Sequence, residues 1–192
     1  MSVVRVDEVG GASLERLNKM LSSIPGGVWR AAYSALRRAG DTAKTRAGQF
    51  AADEYAISKG DFIKNVSIKT HLSGEGGSIV SMAISYAGKV LPLLTFNTQY
   101  SRDGLLRTQV KRNGGSKTLQ HAFAARVFGP VAVFERVGSP RFPVQQKYGP
   151  STAHMMGNER VVEKMDDTIR ETFEKRVEYE ITRVLNGWGG RP

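Results

Sequence analysis

The chain has 192 residues, 40% hydrophobic and 24% charged, which suits one globular domain with a sizeable core. It has no cysteine, which excludes a disulfide framework and any thiolate metal site. It also lacks a run of about 18 apolar residues and a basic-then-apolar leader, so neither a membrane span nor a signal peptide is expected, and cytoplasmic synthesis is.

The formal net charge of +10 is unevenly placed. From Arg102 to Lys147 there are nine basic residues and two acidic ones, whereas Glu159 to Leu185 holds eight acids and six bases. A basic stretch of this kind meets nucleic acid, an acidic partner, an acidic face of a sister subunit, or only solvent.

Residues 1 to 12, with Val3, Val4, Val6 and Val9 before Gly10-Gly11, read as an N-terminal arm. Ser13 is placed to cap a short helix carrying Leu14, Leu17, Leu21 and Ile24, which stops before Pro25. After Gly26-Gly27, the small and apolar residues Ala32, Leu36, Ala39, Ala43, Ala47 and Phe50 recur every three to four positions from Val28 to about Tyr55. That spacing predicts a long helix with an alanine face, interrupted by Gly40 and Gly48, each costing about 1 kcal/mol relative to alanine. Ser58-Lys59-Gly60-Asp61 has the spacing of a capping box, so a further short helix should carry Phe62 and Ile63, completing a helical region over 13–65.

The period then changes from helical to alternating. Val66, Ile68 and Thr70 alternate with Ser67, Lys69 and His71, and Ser78 to Tyr86 returns after Gly74-Glu75-Gly76-Gly77 as a partner strand. Lys89 to Tyr100, interrupted by Pro92, reads as a covered connection and not a central strand. Asn113-Gly114-Gly115 marks a turn between polar arms with little to bury. The hairpin near 107–117 is therefore expected to project and to carry Arg107, Lys111, Arg112 and Lys117 outward as the candidate partner or lumen surface.

Ala124 to Phe128 and Val131 to Val137 flank Gly129-Pro130 and read as a hairpin. Pro143 lacks a donor and should begin a third extended segment or lie on a sheet edge, and Gly149-Pro150 should end it. At the C-terminal end, over about 158–187, Val161, Met165, Ile169, Phe173, Val177, Ile181 and Leu185 recur at i+4, widened by Val162, Val184 and Trp188, with Asn186-Gly187 as the cap. The stripe through Met165, Ile169, Phe173, Val177 and Ile181 is core or subunit interface. Seven positions at i+4 drift by about 40° per step, so they cannot all face one flat surface.

The fold expected is one α+β domain, with an antiparallel or mixed sheet of four to six strands over 66–151. It is packed by a long N-terminal helix and a long amphipathic C-terminal helix.

Residues for chemistry are sparse. No phosphate loop or Gly-x-Ser-x-Gly elbow is present, and His71, His121 and His154 lack ligand spacing. Asp53-Glu54 and Asp166-Asp167 are adjacent on helices, where neighbours in sequence do not face each other, so neither is a natural acid/base pair. No enzyme activity, metal or cofactor is therefore expected. Tyr100, Phe123, Phe128, Phe134, Phe142 and Tyr148 interleave with basic residues, which suits either base stacking or ordinary sheet packing.

One resemblance covers roughly residues 25 to 185. The long alanine-rich helix, Lys59-Gly60-Asp61-Phe62-Ile63, the strand hairpin, His121-Ala122-Phe123, Val133-Phe134-Glu135-Arg136 and the terminal helix follow the order of the phage minor tail protein Z family. Its most specific piece is Pro143-Val144-Gln145-Gln146-Lys147-Tyr148-Gly149-Pro150-Ser151, which resembles the family's Pro-Ile followed shortly by Tyr-Gly-Pro-Ser. Pro143, Tyr148, Gly149, Pro150 and Ser151 are thus the candidate motif pivot.

The resemblance implies a virion structural protein of the neck or upper tail of a long-tailed phage, assembled in the host cytoplasm. It also implies a homo-oligomeric ring, a hexamer, contacting head-closure or connector proteins and tail-terminator or tail-tube proteins, with genomic DNA passing through its lumen. The rival expectation is a non-sequence-specific nucleic-acid-binding protein acting through the basic 102–147 region.

Overall fold

The computed structural model describes residues 2–5, 11–73, 81–127 and 129–187. Five helices lie along the chain: α1 (Gly11–Leu21), α2 (Gly27–Glu54), α3 (Lys59–Lys64), α4 (Thr152–Met156) and α5 (Glu159–Leu185). The strands are β1 (Ser2–Arg5), β2 (Ser67–Ser73), β3 (Ser81–Ala87), β4 (Val90–Pro92), β5 (Asn97–Tyr100) and β6 (Leu106–Gln109). β7 (Lys117–Leu119), β8 (Ala122–Ala125), β9 (Ala132–Arg136), β10 (Val144–Gln146) and β11 (Tyr148–Ser151) complete them. The class is α+β, but the expected sheet of four to six strands is replaced by four separate sheets of two or three. Strands of three to five residues between glycine- and proline-containing turns offer too little edge for one continuous ladder.

The contacts cluster into two compact units. The first comprises Gly48–Ser67 and Tyr86–Val161, and the second the described residues within Ser2–Ala47, Ile68–Ser85 and Val162–Pro192. α2 and α5 each contribute to both units.

In the second unit, α1 buries Leu17 and Leu21, and Ser13 lies inside the helix instead of capping it. α2 buries Ala31, Ala32, Ala35, Leu36, Ala39, Ala43 and Ala47. Alanine lets a neighbour come close, and at Gly40 the approach is closest, because a Cβ there would run into Met82 of β3. The glycine thus exchanges helix propensity for contact, and the helix passes through it unbroken. β1, β3 and β2 form a sheet in that order. Half-buried Ile68 and Thr70 alternate with exposed Ser67, Lys69 and His71, as the period-2 pattern requires. Gly74-Glu75-Gly76-Gly77, Val6, Val9, Phe128 and Trp188 lie outside the described residues.

α5 buries Val161, Met165, Ile169, Phe173, Val177 and Ile181, whereas Leu185 is 49% exposed. From Val161 to Leu185 the i+4 repeat turns about 240° round the axis, which carries the last position out to solvent. Gly187 adopts φ +75° and its N–H donates to Val184 O at 3.1 Å, so Asn186-Gly187 ends the helix as expected.

In the first unit, Ser58 caps α3 by accepting from Asp61 N at 3.0 Å. Its hydroxyl also donates to Asp61 Oδ2 at 2.6 Å, which closes the box differently from the usual glutamate. Lys89 to Tyr100, expected as a connection, contains β4 and β5. Pro92 is tolerated because β4 has a single partner, β11, and its donor-free edge needs none. The antiparallel sheets β5-β6-β7 and β8-β9-β10 enclose a small core of Leu93, Leu106 and Val133, joined by Leu94, Val110, Leu119, Ala122 and Ala124.

Candidate partner-binding surfaces

Pro143 follows a cis peptide bond and leads into β10, an edge strand paired antiparallel to β9, as its missing donor predicts. Gly149-Pro150 does not end the extended chain. After Lys147 the backbone changes partners, and β11, with both residues inside it, pairs β4.

The motif residues have distinct packing roles. A Cβ on Gly149 would overlap the Phe96 ring, so only glycine lets the strand lie there. Ser151 accepts from His154 N at 3.1 Å and caps α4. The next residue, Thr152, is buried and donates to Asn65 O at 3.2 Å, tying α4 to the end of α3. Gly88 lies against the same threonine, where a Cβ would collide. Tyr148 stays 51% exposed.

The basic hairpin is anchored on one arm, at Val110 and Arg112, while every residue from Lys111 to Thr118 is exposed. That arm is held down: Arg112 N donates to Glu54 O at 2.9 Å, Arg112 Nε donates to Ala52 O at 2.5 Å, and Ala56 N donates to Val110 O at 2.9 Å. Tyr55 and Lys111 form an antiparallel bridge beside them. The carbonyls at the C-terminal end of α2 lack partners within the helix, and the arginine satisfies them, so the loop is stapled where the helix ends. Arg112 is thus structural. Lys111 and Lys117 remain exposed, and Arg107 pairs with Asp103 at 3.4 Å.

Asp103 accepts from Ser101, and this bond, more than the nearby Arg107, holds its carboxyl below the usual range. A groove of about 650 Å³ lies here, lined by Gln99, Tyr100, Ser101, Arg102, Asp103, Arg107 and Ser116. Tyr100 reaches from β5 to β8, where its hydroxyl accepts from Ala124 N at 3.0 Å.

The described aromatic residues of this region differ in burial. Phe134 is core and lies 6.3 Å from half-buried Phe123, while Tyr100, Phe142 and Tyr148 are each more than half exposed. Arg136 lies over the Phe123 ring at 5.2 Å. Beside it, Lys147 pairs with Glu135, a hydrogen bond that lowers the carboxyl pKa.

A second exposed hairpin joins β9 to β10. Every residue from Arg136 to Pro143 is exposed, Val137 by 65% and Phe142 by 59%. Arg141 lies 5.9 Å from the Phe142 ring centroid, and Val137 N donates to Pro143 O at 3.2 Å to close the loop. The signal was present in sequence as Gly138-Ser139-Pro140, a turn cluster between an arginine on each side.

Met165, Ile169, Phe173, Val177 and Ile181 form the buried face of α5 and are core in the single chain. On its exposed side, Glu163, Asp167, Glu171, Glu174 and Glu178 line up. Near its C-terminal end a cleft of about 230 Å³ is lined by Trp29, Arg30, Tyr33, Ser34, Glu180, Arg183 and Val184. Glu180 is buried there, with Arg183 Nη1 at 3.4 Å.

Among the described residues no group of His, Cys, Asp and Glu is placed to hold a metal, and no helix is long and apolar enough to cross a membrane. No known family, curated protein or solved structure matches the chain.

Proposed function

We propose that this chain is a virion structural subunit of a long-tailed phage, a neck or tail-completion protein that assembles into a ring at the head–tail junction. The observation that carries the reading is the segment Pro143–Ser151. The residues by which the chain resembles the minor tail protein Z family have packing roles here: glycine against Phe96, serine as a helix cap, proline at a strand edge. Such residues act by shape, and Pro143 carries the chain from the exposed Arg136–Pro143 hairpin into β10 of the first unit. A ring subunit needs surfaces of this kind, because a head-to-tail contact joins two different patches of the same chain.

In this reading the partners are further copies, a hexamer by resemblance, with head-closure or connector proteins and tail-terminator or tail-tube proteins above and below. Genomic DNA passes through the lumen, and assembly takes place in the host cytoplasm. Mass measurement of the purified protein, alone and after mixing with extract of phage-producing cells, is the test. A multimer or incorporation into particles is expected, and a strictly monomeric species that never enters particles overturns the reading.

The groove beside Arg102 and Arg107 favours a second reading, non-sequence-specific binding of nucleic acid. Asp103 in the same groove opposes it, because its carboxylate pairs with Arg107 and repels phosphate. Binding of a random duplex with a steep loss of affinity on added salt would support this second reading, and a flat salt response removes it.

A further inference from the structure

Two exposed surfaces of this chain are complementary in charge, and neither is fully paired among the described residues. The first is the β9–β10 hairpin. Between Arg136 and Gln146 there is no acidic residue, and Arg136 and Arg141 form no ion pair among the described residues. Their guanidinium groups lie over the Phe123 and Phe142 rings at 5.2 and 5.9 Å, which orients them without neutralising them.

The second surface is on α5. At 100° per residue, Glu163, Asp167, Glu171, Glu174 and Glu178 fall within an arc of about 80° and extend about 22 Å along the axis. All five are exposed. Glu178 pairs with Arg16 at 2.9 Å, while Glu163, Asp167, Glu171 and Glu174 have no ion-pair partner among the described residues. Arg170 at the rim of this arc is paired with Asp166, so the four acids keep an excess of like charge, and a cationic partner relieves that cost.

We infer that the β9–β10 hairpin of one copy docks on the acidic face of α5 of a second copy, with Arg136 and Arg141 placed between Glu163, Asp167, Glu171 and Glu174. The two patches differ, so the contact is head-to-tail, and repeating it generates a ring or an open chain of subunits. The inference rests on the ring reading above and names the contact that would build the ring.

The test is charge reversal with rescue, followed by solution mass and by incorporation into particles. The double variant Arg136→Glu with Arg141→Glu should weaken self-association at least tenfold with an unchanged melting curve. Glu163→Lys, Asp167→Lys and Glu171→Lys together should do the same. Combining the two sets in one chain should restore association.

If the wild-type chain associates and the hairpin variant associates equally well, this contact is wrong and the ring reading stands. If the hairpin variant fails to associate and the combined chain does not recover, α5 is not the receptor and the inference is overturned. If the hairpin variant loses duplex binding while its self-association is unchanged, the hairpin serves nucleic acid instead, which also overturns it. A wild-type chain that neither associates nor enters particles sinks the ring reading and this contact with it.

Discussion

Gly149 and Tyr86 show how single atoms set the tolerance of this fold. A methyl group at Gly149 meets the Phe96 ring within a packed strand pair, so Gly149→Ala should cost about 1–3 kcal/mol in denaturant unfolding. Gly115→Ala, where nothing lies within 4 Å and no positive φ is required, should be nearly silent in the same assay. Tyr86 is buried and its hydroxyl has no hydrogen-bond partner among the described residues. Removing an unsatisfied group relieves its desolvation, so Tyr86→Phe should stabilise the protein by about 1 kcal/mol. Burial also raises the hydroxyl pKa above 10.0, so the folded chain keeps this proton when the unfolded chain has lost it. Stability from this group is complete below that value and falls as pH rises above it. Urea midpoints at about pH 7 and about pH 11 should therefore diverge less in Tyr86→Phe than in wild type.

At the scale of elements, the two long helices rest on different devices. α2 relies on small residues, with Gly40 admitting Met82 against its backbone. α5 relies on a buried apolar stripe that turns with the helix. Ile169→Asp puts a charge in a site with no solvent access and should destabilise by more than about 4 kcal/mol, enough to unfold the chain in a melting experiment. Leu185→Asp, beyond the point where the stripe emerges, should change stability by no more than about 0.5 kcal/mol. A folded Ile169→Asp protein defective only in association would instead make the stripe an interface. The basic hairpin β6–β7 is an element whose charge is partly committed to the fold, because Arg112 satisfies carbonyls at the end of α2.

For the whole molecule, the charge asymmetry is the property that bears on assembly. Basic charge lies in strand-rich segments of the first unit, and the acidic stripe of α5 lies in the second. A contact between copies that joins them is ionic at its centre. Raising salt from about 0.05 M to about 0.5 M shortens the screening length severalfold and should weaken self-association. Analytical ultracentrifugation across that range checks it, and association that strengthens with salt would point to an apolar contact instead.

The sequence by itself determined the features whose physics is local. Hydrophobic period located α5, its buried stripe and its glycine cap. Serine with aspartate at N3 located α3. Gly129-Pro130 located the turn before β9, and the missing donor of Pro143 pointed to the start of a strand or a sheet edge, both of which hold where it leads into β10. Tertiary structure alone decided what depends on partners distant in sequence. Four small sheets replaced one because strand pairing is a choice among distant edges, and a three-residue strand such as β4 carries no period to announce its partner. Arg112 was legible as a charge, yet its role depends on helix carbonyls 58 to 60 positions away. For the same reason the hairpin expected to project is stapled at Arg112 while its tip stays exposed, and a second hairpin, Arg136–Pro143, is exposed as well.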